Sequence, residues 1–111
     1  LHHLRAVVPH RLRDADRVVE LSPASMGGYW VRAHLAWKLG RGRQALDDFA
    51  RVLEREPRAV GVHYYRALVF EQLGKPDEAR EECALFLREA APNDPLAAQA
   101  RQLLEKLGEK K

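Results

Sequence analysis

The tripeptide "KLG" at Lys38–Gly40 returns as "QLG" at Gln72–Gly74 and again as "KLG" at Lys106–Gly108, with successive copies 34 residues apart. A shift of 34 also aligns Leu12 with Leu46, Val18 with Val52 and Phe86, Val19 with Leu53 and Leu87, Ala33 with Ala67, Ala45 with Ala79, and Phe49 with Cys83. A period of this length is typical of stacked supersecondary units. The 111-residue chain is therefore predicted to consist of repeats.

Each repeat has the pattern of a pair of helices. Residues 43–55 carry apolar side chains at spacings of one, three and four, which places them on one helical face and the charges on the other. The apolar face consists of Ala45, Leu46, Phe49, Val52 and Leu53. Residues 28–39 and 62–73 are richer in alanine and aromatic residues and lack a polar side, as expected of a helix packed between neighbours. No strand pattern is present, so the chain is predicted to be all-α.

Glycine and proline mark the predicted helix ends. A residue just past a helix often adopts a left-handed conformation, which glycine reaches without steric cost, so the glycine of each tripeptide is predicted to end a helix. Pro76 suits a first helical turn, and Asp94 is predicted to cap a helix that begins at Pro95. Because residues before proline avoid helical geometry, turns between units are expected at Ser22–Pro23 and Glu56–Pro57.

These residues resemble the tetratricopeptide repeat (TPR), whose 34-position pattern runs Trp-x2-Leu-Gly-x2-Tyr, then Ala-x3-Phe, then Pro. Residues 26–59 match it with Ala45, Phe49 and Pro57 in register, and with Tyr29, Ala33 and Ala36 as substitutes for Trp, Gly and Tyr. Residues 60–93 match it with Ala67, Phe70 and Ala79, and with Cys83 in place of phenylalanine. Arg32, His63 and Arg66 depart from the pattern, so the resemblance does not define their packing.

The resemblance implies a right-handed superhelical stack of antiparallel helix pairs, a tetratricopeptide-like solenoid, in a single domain over residues 1–111. We expect a truncated first repeat at 1–25, repeats at 26–59 and 60–93, and a C-terminal capping helix at 94–111. Since the chain begins inside a repeat, we also expect it to be a fragment of a longer protein.

No group of residues in the sequence points to catalysis, a cofactor or a small-molecule substrate. The five histidines never stand at the i, i+4 spacing of a helical metal site, and no Cys-x2-Cys or His-Glu-x-x-His motif occurs. No glycine-rich phosphate loop is present, and Cys83 shares its column with Phe49, which is typical of a small buried hydrophobe. The chain is therefore predicted to be non-enzymatic, without a cofactor or a bound metal.

Charge and hydropathy narrow the partners further. The net charge of +3 arises from 19 Lys and Arg against 16 Asp and Glu, a mixture that disfavours nucleic acid as a partner. No apolar run approaches the roughly 20 residues that a membrane span requires. The single cysteine cannot form an internal disulfide, so the sequence leaves the compartment open, with the cytoplasm slightly favoured.

The family resemblance also implies where partners bind, on a concave groove lined by the first helix of each repeat. The corresponding residues are Trp30, His34, Trp37 and Lys38 in one repeat and Tyr64, Leu68, Glu71 and Gln72 in the next. Spacing supports the first four independently, because they share a helical stripe distinct from that of Tyr29, Ala33 and Ala36, which is assigned to packing. Alternatively, the tryptophans are covered by the protein's own core. Family members that hold the carboxylate of chaperone tails use a set of lysine, asparagine and arginine residues on these faces. The corresponding faces of this chain do not carry that set, so no such clamp is predicted.

The predicted function is a protein-binding module or scaffold that holds a peptide or protein segment in this groove. One alternative is self-association, or docking onto another part of the same protein, through the uncapped N-terminal edge at residues 1–23. A second alternative is a helical-repeat nucleic-acid binder that uses the N-terminal arginines and stacked aromatic rings, which the mixed charge disfavours.

Overall fold

The structure is a computed structural model that describes residues 15–17, 20 and 26–109. Five helices with defined bounds lie within these residues: α1 (Met26–Lys38), α2 (Gly42–Arg55), α3 (Gly61–Gln72), α4 (Pro76–Glu89) and α5 (Ala97–Glu109). Residues 15–17 and 20 are also helical. All regular structure in the described part of the chain is thus helical, which confirms the all-α prediction. None of these described helices combines the length and the apolar character that crossing a bilayer requires.

The chain divides into two compact units, Leu1–Glu56 and Pro57–Lys111. In the first unit α1 and α2 pack against each other as an antiparallel pair. Their buried residues are Tyr29, Ala33 and Ala36 from α1 and Ala45, Phe49 and Val52 from α2. The predicted packing residues of α1 are thus buried, and so are three of the five predicted on α2, whereas Leu46 and Leu53 are partly buried. Most of the predicted first repeat (1–25), including the N-terminal edge proposed for self-association, lies outside the described residues.

In the second unit α3 packs on α4, and α4 packs on α5. Their shared core consists of Tyr64, Ala67, Ala79, Cys83, Phe86, Ala100, Leu103 and Leu107. The outer side of α5 is exposed at Gln99, Arg101, Gln102 and Glu105. The predicted terminal helix is therefore present, with an apolar face in the core and a polar face in water.

The first two tripeptides end their helices in the same way. Gly40 and Gly74 have φ of 77° and 74°, and they are the two residues with positive φ in the described part of the chain. The N–H of Arg41 donates to the carbonyl of Ala36 at 2.7 Å, and that of Gly40 donates to the carbonyl of Trp37 at 3.0 Å. This pair of bonds is the Schellman motif, in which glycine supplies the left-handed residue.

The third tripeptide behaves differently from the other two. Gly108 lies within α5, which continues to Glu109, and it does not share the positive φ of Gly40 and Gly74. The prediction that the glycine of every copy ends a helix is therefore wrong for Gly108. The reason is physical: glycine ends a helix where it takes a positive φ, and Gly108 does not take one.

Of the two predicted helix starts, the one at Pro76 is observed, whereas the last helix begins at Ala97 rather than at Pro95. Pro76 is the first residue of α4, where its missing N–H breaks no helical bond, and Asp77 and Glu78 follow in the first turn near the positive end of the helix dipole. Asp94 lies in the turn that precedes α5, where its Oδ1 accepts a hydrogen bond from the N–H of Leu96 at 2.8 Å.

The two arginines that depart from the family pattern form ion pairs with the facing helix. The Nε of Arg32 donates to Oδ2 of Asp48 at 2.8 Å, and its Nη2 donates to Oδ1 at 2.8 Å, although the Asp48 side chain is only 1% exposed. These bonds hold the pKa of Arg32 above its usual value, against the opposing effect of burial. In the second unit, the Nε of Arg66 meets Oε1 of Glu82 at 3.2 Å. Both arginines are thus paired with a carboxylate, and neither disrupts the packing of its helix pair.

Substituting the tripeptide glycines tests their different roles. Gly40→Ala and Gly74→Ala are each expected to lower the free energy of unfolding by about 1–2 kcal/mol, because alanine is strained at positive φ. Gly108→Ala is the matched control, since a Cβ there meets no atom within 4 Å and φ is not positive. It is expected to leave stability unchanged or to raise it by up to about 1 kcal/mol. Urea unfolding followed by circular dichroism measures all three, and equal losses would contradict the assignment.

Phe49→Ala tests the core of the first unit. The Phe49 side chain is fully buried between α1 and α2, so its removal is expected to cost about 3–5 kcal/mol of unfolding free energy. Ala50→Ser, at the exposed neighbouring position of α2, is the control and is expected to change stability by less than about 0.5 kcal/mol. Thermal unfolding of the two variants measures the difference, and a small effect of Phe49→Ala would show that this core is dispensable.

Candidate functional site

The aromatic residues predicted for binding on α1 rest partly on the core. The ring centroids of Trp30 and His34 lie 5.0 Å apart, and those rings lie 5.6 Å and 5.9 Å from the buried ring of Phe49. Trp30, His34 and Trp37 are all half-buried, whereas Lys38 is exposed. The sequence left open whether these side chains face a groove or lie in the core. In the structure one edge of the stripe contacts the core and the other lies at the surface.

Val31 is the residue of this surface that the sequence analysis missed. Its side chain is 51% exposed, and among the described residues no other large hydrophobic side chain is exposed. It lies one turn from Leu35 and two turns from Lys38 on α1, beside the Trp30–His34 edge. Because α1 is apolar around most of its circumference, no break in the hydrophobic pattern distinguished an exposed valine from the buried residues. We define Val31, His34 and Lys38, with the rims of Trp30 and Trp37, as the α1 face.

His34 is the titratable group of the α1 face whose pKa is shifted. Burial lowers the pKa of His34 below 6.5, and the nearby charge of Lys38 lowers it further. The carbonyl of Trp30, 3.4 Å from Nδ1, opposes this shift because it favours the protonated ring. His34 is therefore neutral at neutral pH, so it presents the α1 face with a polar ring rather than with a second positive charge.

Tyr64 lies in the core of the second unit rather than on an open surface. Its side chain is 7% exposed, its ring centroid is 5.9 Å from that of Phe86, and its hydroxyl donates to Oε1 of Gln99 at 3.3 Å. Burial raises the pKa of this hydroxyl above its usual value. Tyr64 therefore offers little exposed surface beside the terminal helix α5, and its predicted role in binding stays a prediction.

The other predicted residues of α3 are divided between packing and solvent. Leu68 is partly buried against the same core as Tyr64. Glu71 pairs through Oε2 with Nζ of Lys106 on α5 at 3.2 Å, whereas Gln72 is exposed. Sequence spacing predicted that these side chains share one face of α3, but it could not indicate that Tyr64 and Glu71 bond to Gln99 and Lys106 of α5. Their role in binding stays a prediction.

Metal ligands and the single cysteine are the two kinds of reactive group that the sequence raised. No set of three or more His, Cys, Asp and Glu side chains within them converges as metal ligands. Cys83 is fully buried, and burial together with the nearby Glu71 and Glu82 carboxylates raises the pKa of its thiol to about 11. At neutral pH this thiol is protonated and shielded, which is the opposite of an activated nucleophile.

Comparison with known proteins adds a family and a fold. Residues 31–95, more than half of the chain, match the family described as Tetratricopeptide repeat. Among solved structures, the chain is similar to the TPR2B domain of yeast Sti1 in its complex with pHsp70, with a TM-score of 0.82 and 19% sequence identity. That match covers 99% of this chain and 90% of the other. No curated protein compared with the chain gives a significant sequence match.

The lowered pKa of His34 predicts how stability depends on pH. The unfolded state binds a proton near pH 6.5 and the folded state only at lower pH, so His34 contributes stability that is lost as the pH falls below 6.5. His34→Gln is therefore expected to lose less unfolding free energy than wild type between neutral pH and about pH 5.

Urea unfolding at each pH measures this difference. Lys38→Gln is expected to reduce the same pH dependence, because the Lys38 charge contributes to the shift. Arg43→Gln, the same charge change at an exposed position of α2, is the control and is expected to behave as wild type. Identical pH profiles for wild type and His34→Gln would contradict the assignment.

Proposed function

Because the chain belongs to the tetratricopeptide repeat family, whose members are protein–protein interaction modules, we propose that it binds a peptide or protein segment through the α1 face. The observation that carries this proposal is the exposure of Val31, which is 51% accessible, whereas Tyr29, Trp30, Leu35 and Trp37 on the same helix are buried or half-buried. An exposed apolar side chain loses unfavourable hydration when a partner covers it.

The surroundings of Val31 support a binding surface rather than an isolated exposed residue. Single apolar residues on a protein surface are ordinary, but contiguous ones often mark interaction sites. Leu35 lies one turn further along α1 and is half-buried, and the half-buried rings of Trp30 and Trp37 lie on the same helix. Tryptophan is among the residues that contribute most to binding energy, because a partner buries a large apolar area on it.

The charges of the α1 face indicate the chemistry of the ligand. Lys38 is exposed at the end of α1, and the neutral His34 ring adds no positive charge of its own. A ligand that places an apolar side chain on Val31 and a carboxylate near Lys38 would match both features. We therefore propose a peptide segment with an apolar anchor followed within one or two turns by an acidic residue.

The similar fold in the yeast Sti1 structure is in complex with pHsp70, which supports a protein-derived ligand for this fold. At 19% identity the likeness concerns the fold, and it does not carry that partner to this chain. The residues that correspond to the family's chaperone-tail clamp are here Trp30, His34, Tyr64 and Leu68. We therefore propose a non-catalytic domain, extending over residues 1–111, whose ligand is not a chaperone tail.

Selection from a displayed peptide library, followed by titration of the chosen peptide, tests this proposal. Trp30 and Trp37 are the two tryptophans of the chain and both lie on α1, so their fluorescence reports binding at this face directly. Val31→Asp and Trp37→Ala are each expected to weaken binding at least tenfold, about 1.4 kcal/mol, because the first places a charge in the apolar contact and the second removes a large side chain.

The controls separate binding from folding. Arg43→Ala, exposed on α2, is expected to bind as wild type, and Val31→Asp is expected to keep the wild-type melting temperature because the residue is at the surface. Selected peptides that bind Val31→Asp and wild type equally would overturn the proposal. A large loss of stability in Trp37→Ala would assign Trp37 to the core instead.

A further inference from the structure

The side chain of Arg32 on α1 holds two carboxylates at once. Its Nε and Nη2 donate to the two carboxylate oxygens of Asp48 on α2, at 2.8 Å each, and its Nη1 donates to Oδ1 of Asp16 at 2.9 Å. Asp16 belongs to the helical residues 15–17, which we call the N-terminal segment. Arg32 therefore connects this segment to the α1–α2 pair.

The two carboxylates differ in their exposure to solvent. The Asp48 side chain is 1% exposed, whereas that of Asp16 is 36% exposed. Removing one partner of a buried pair leaves the other charge uncompensated, but a partly exposed carboxylate regains water when its bond opens. When the Asp16–Arg32 contact opens, Arg32 and Asp48 keep the two hydrogen bonds between them and remain a neutral pair. Opening of the Asp16 contact therefore leaves no buried charge alone.

The second unit contains the same kind of pair at the same register. Arg66 and Glu82 stand 34 residues after the arginine and aspartate of the first unit, and their side chains meet at 3.2 Å. The residue 34 positions after Asp16 is Ala50, which has no carboxylate. The arginine–carboxylate pair is thus common to both repeats, whereas the bond to Asp16 is an addition particular to the N-terminal segment.

We propose that the Asp16–Arg32 bond is a releasable clasp, which lets the N-terminal segment undock while the α1–α2 pair stays folded. The neighbouring Ala15 is buried, but its side chain is a single methyl group, so undocking at this position exposes little apolar surface. The clasp is a conformational device of the first unit and is independent of ligand binding at the α1 face.

Hydrogen exchange of the whole chain, resolved by mass spectrometry, tests the clasp. Asp16→Asn is expected to accelerate exchange in peptides that contain the N-terminal segment by roughly two- to fivefold, the size expected for a part-exposed ion pair. Exchange in α1 and α2 and the melting temperature are expected to stay unchanged. Raising NaCl from about 0.05 to 0.5 M is expected to accelerate exchange of the segment in wild type but not in Asp16→Asn.

Two further variants make the test specific. Glu20→Gln removes an exposed acid from the same part of the chain and is expected to leave exchange of the segment unchanged. Asp48→Asn is expected to lower the melting temperature and to accelerate exchange throughout α1 and α2, because it removes the buried carboxylate that accepts two hydrogen bonds from Arg32. The proposal is overturned if Asp16→Asn has no effect, if it destabilises α1 and α2 as Asp48→Asn does, or if Glu20→Gln accelerates the segment equally.

Discussion

Each helix pair depends on an interface of small buried residues across which an arginine meets a carboxylate. In the first unit, alanines at positions 33, 36 and 45 are fully buried, and Arg32 and Asp48 bond through two hydrogen bonds at the same interface. Breaking a buried pair of this kind typically costs about 3–5 kcal/mol, because the remaining charge has no water. A shift of α2 along α1 would separate the pair, so the interaction favours one register of the two helices.

The two units use equivalent positions for different purposes. Trp30 and His34 on α1 are equivalent to Tyr64 and Leu68 on α3, each 34 residues later. In the second unit the core that includes α5 buries Tyr64, whereas the equivalent Trp30 of the first unit is half-buried, and Leu68 and His34 are both half-buried. The same repeat position can therefore belong to the core or to the surface, depending on which helix packs over it. This difference supports the proposal that the binding surface lies on α1.

Membership of the family indicates a class of function, and a few side chains decide what the surface can bind. The helix pairs and their turns are shared with a structure that is only 19% identical, so they carry little information on a ligand. Val31 and Lys38, by contrast, contribute an apolar contact and a positive charge on one exposed face. The neutral state of His34 follows from its burial beside the aromatic rings, so even the charge of this face depends on packing.

The sequence by itself determined the period, the helices and most of their ends. The predicted helices at 28–39, 43–55 and 62–73 differ by one or two residues at their ends from those observed, because apolar spacing, glycine and proline act locally. Only the tertiary structure decided that Tyr64 is buried, that Val31 is exposed and that Arg32 meets two carboxylates. Periodicity shows which side chains share a helical face, but burial depends on which other helix covers that face. That contact joins residues far apart in the chain, and the helical pattern alone contains no signal for it.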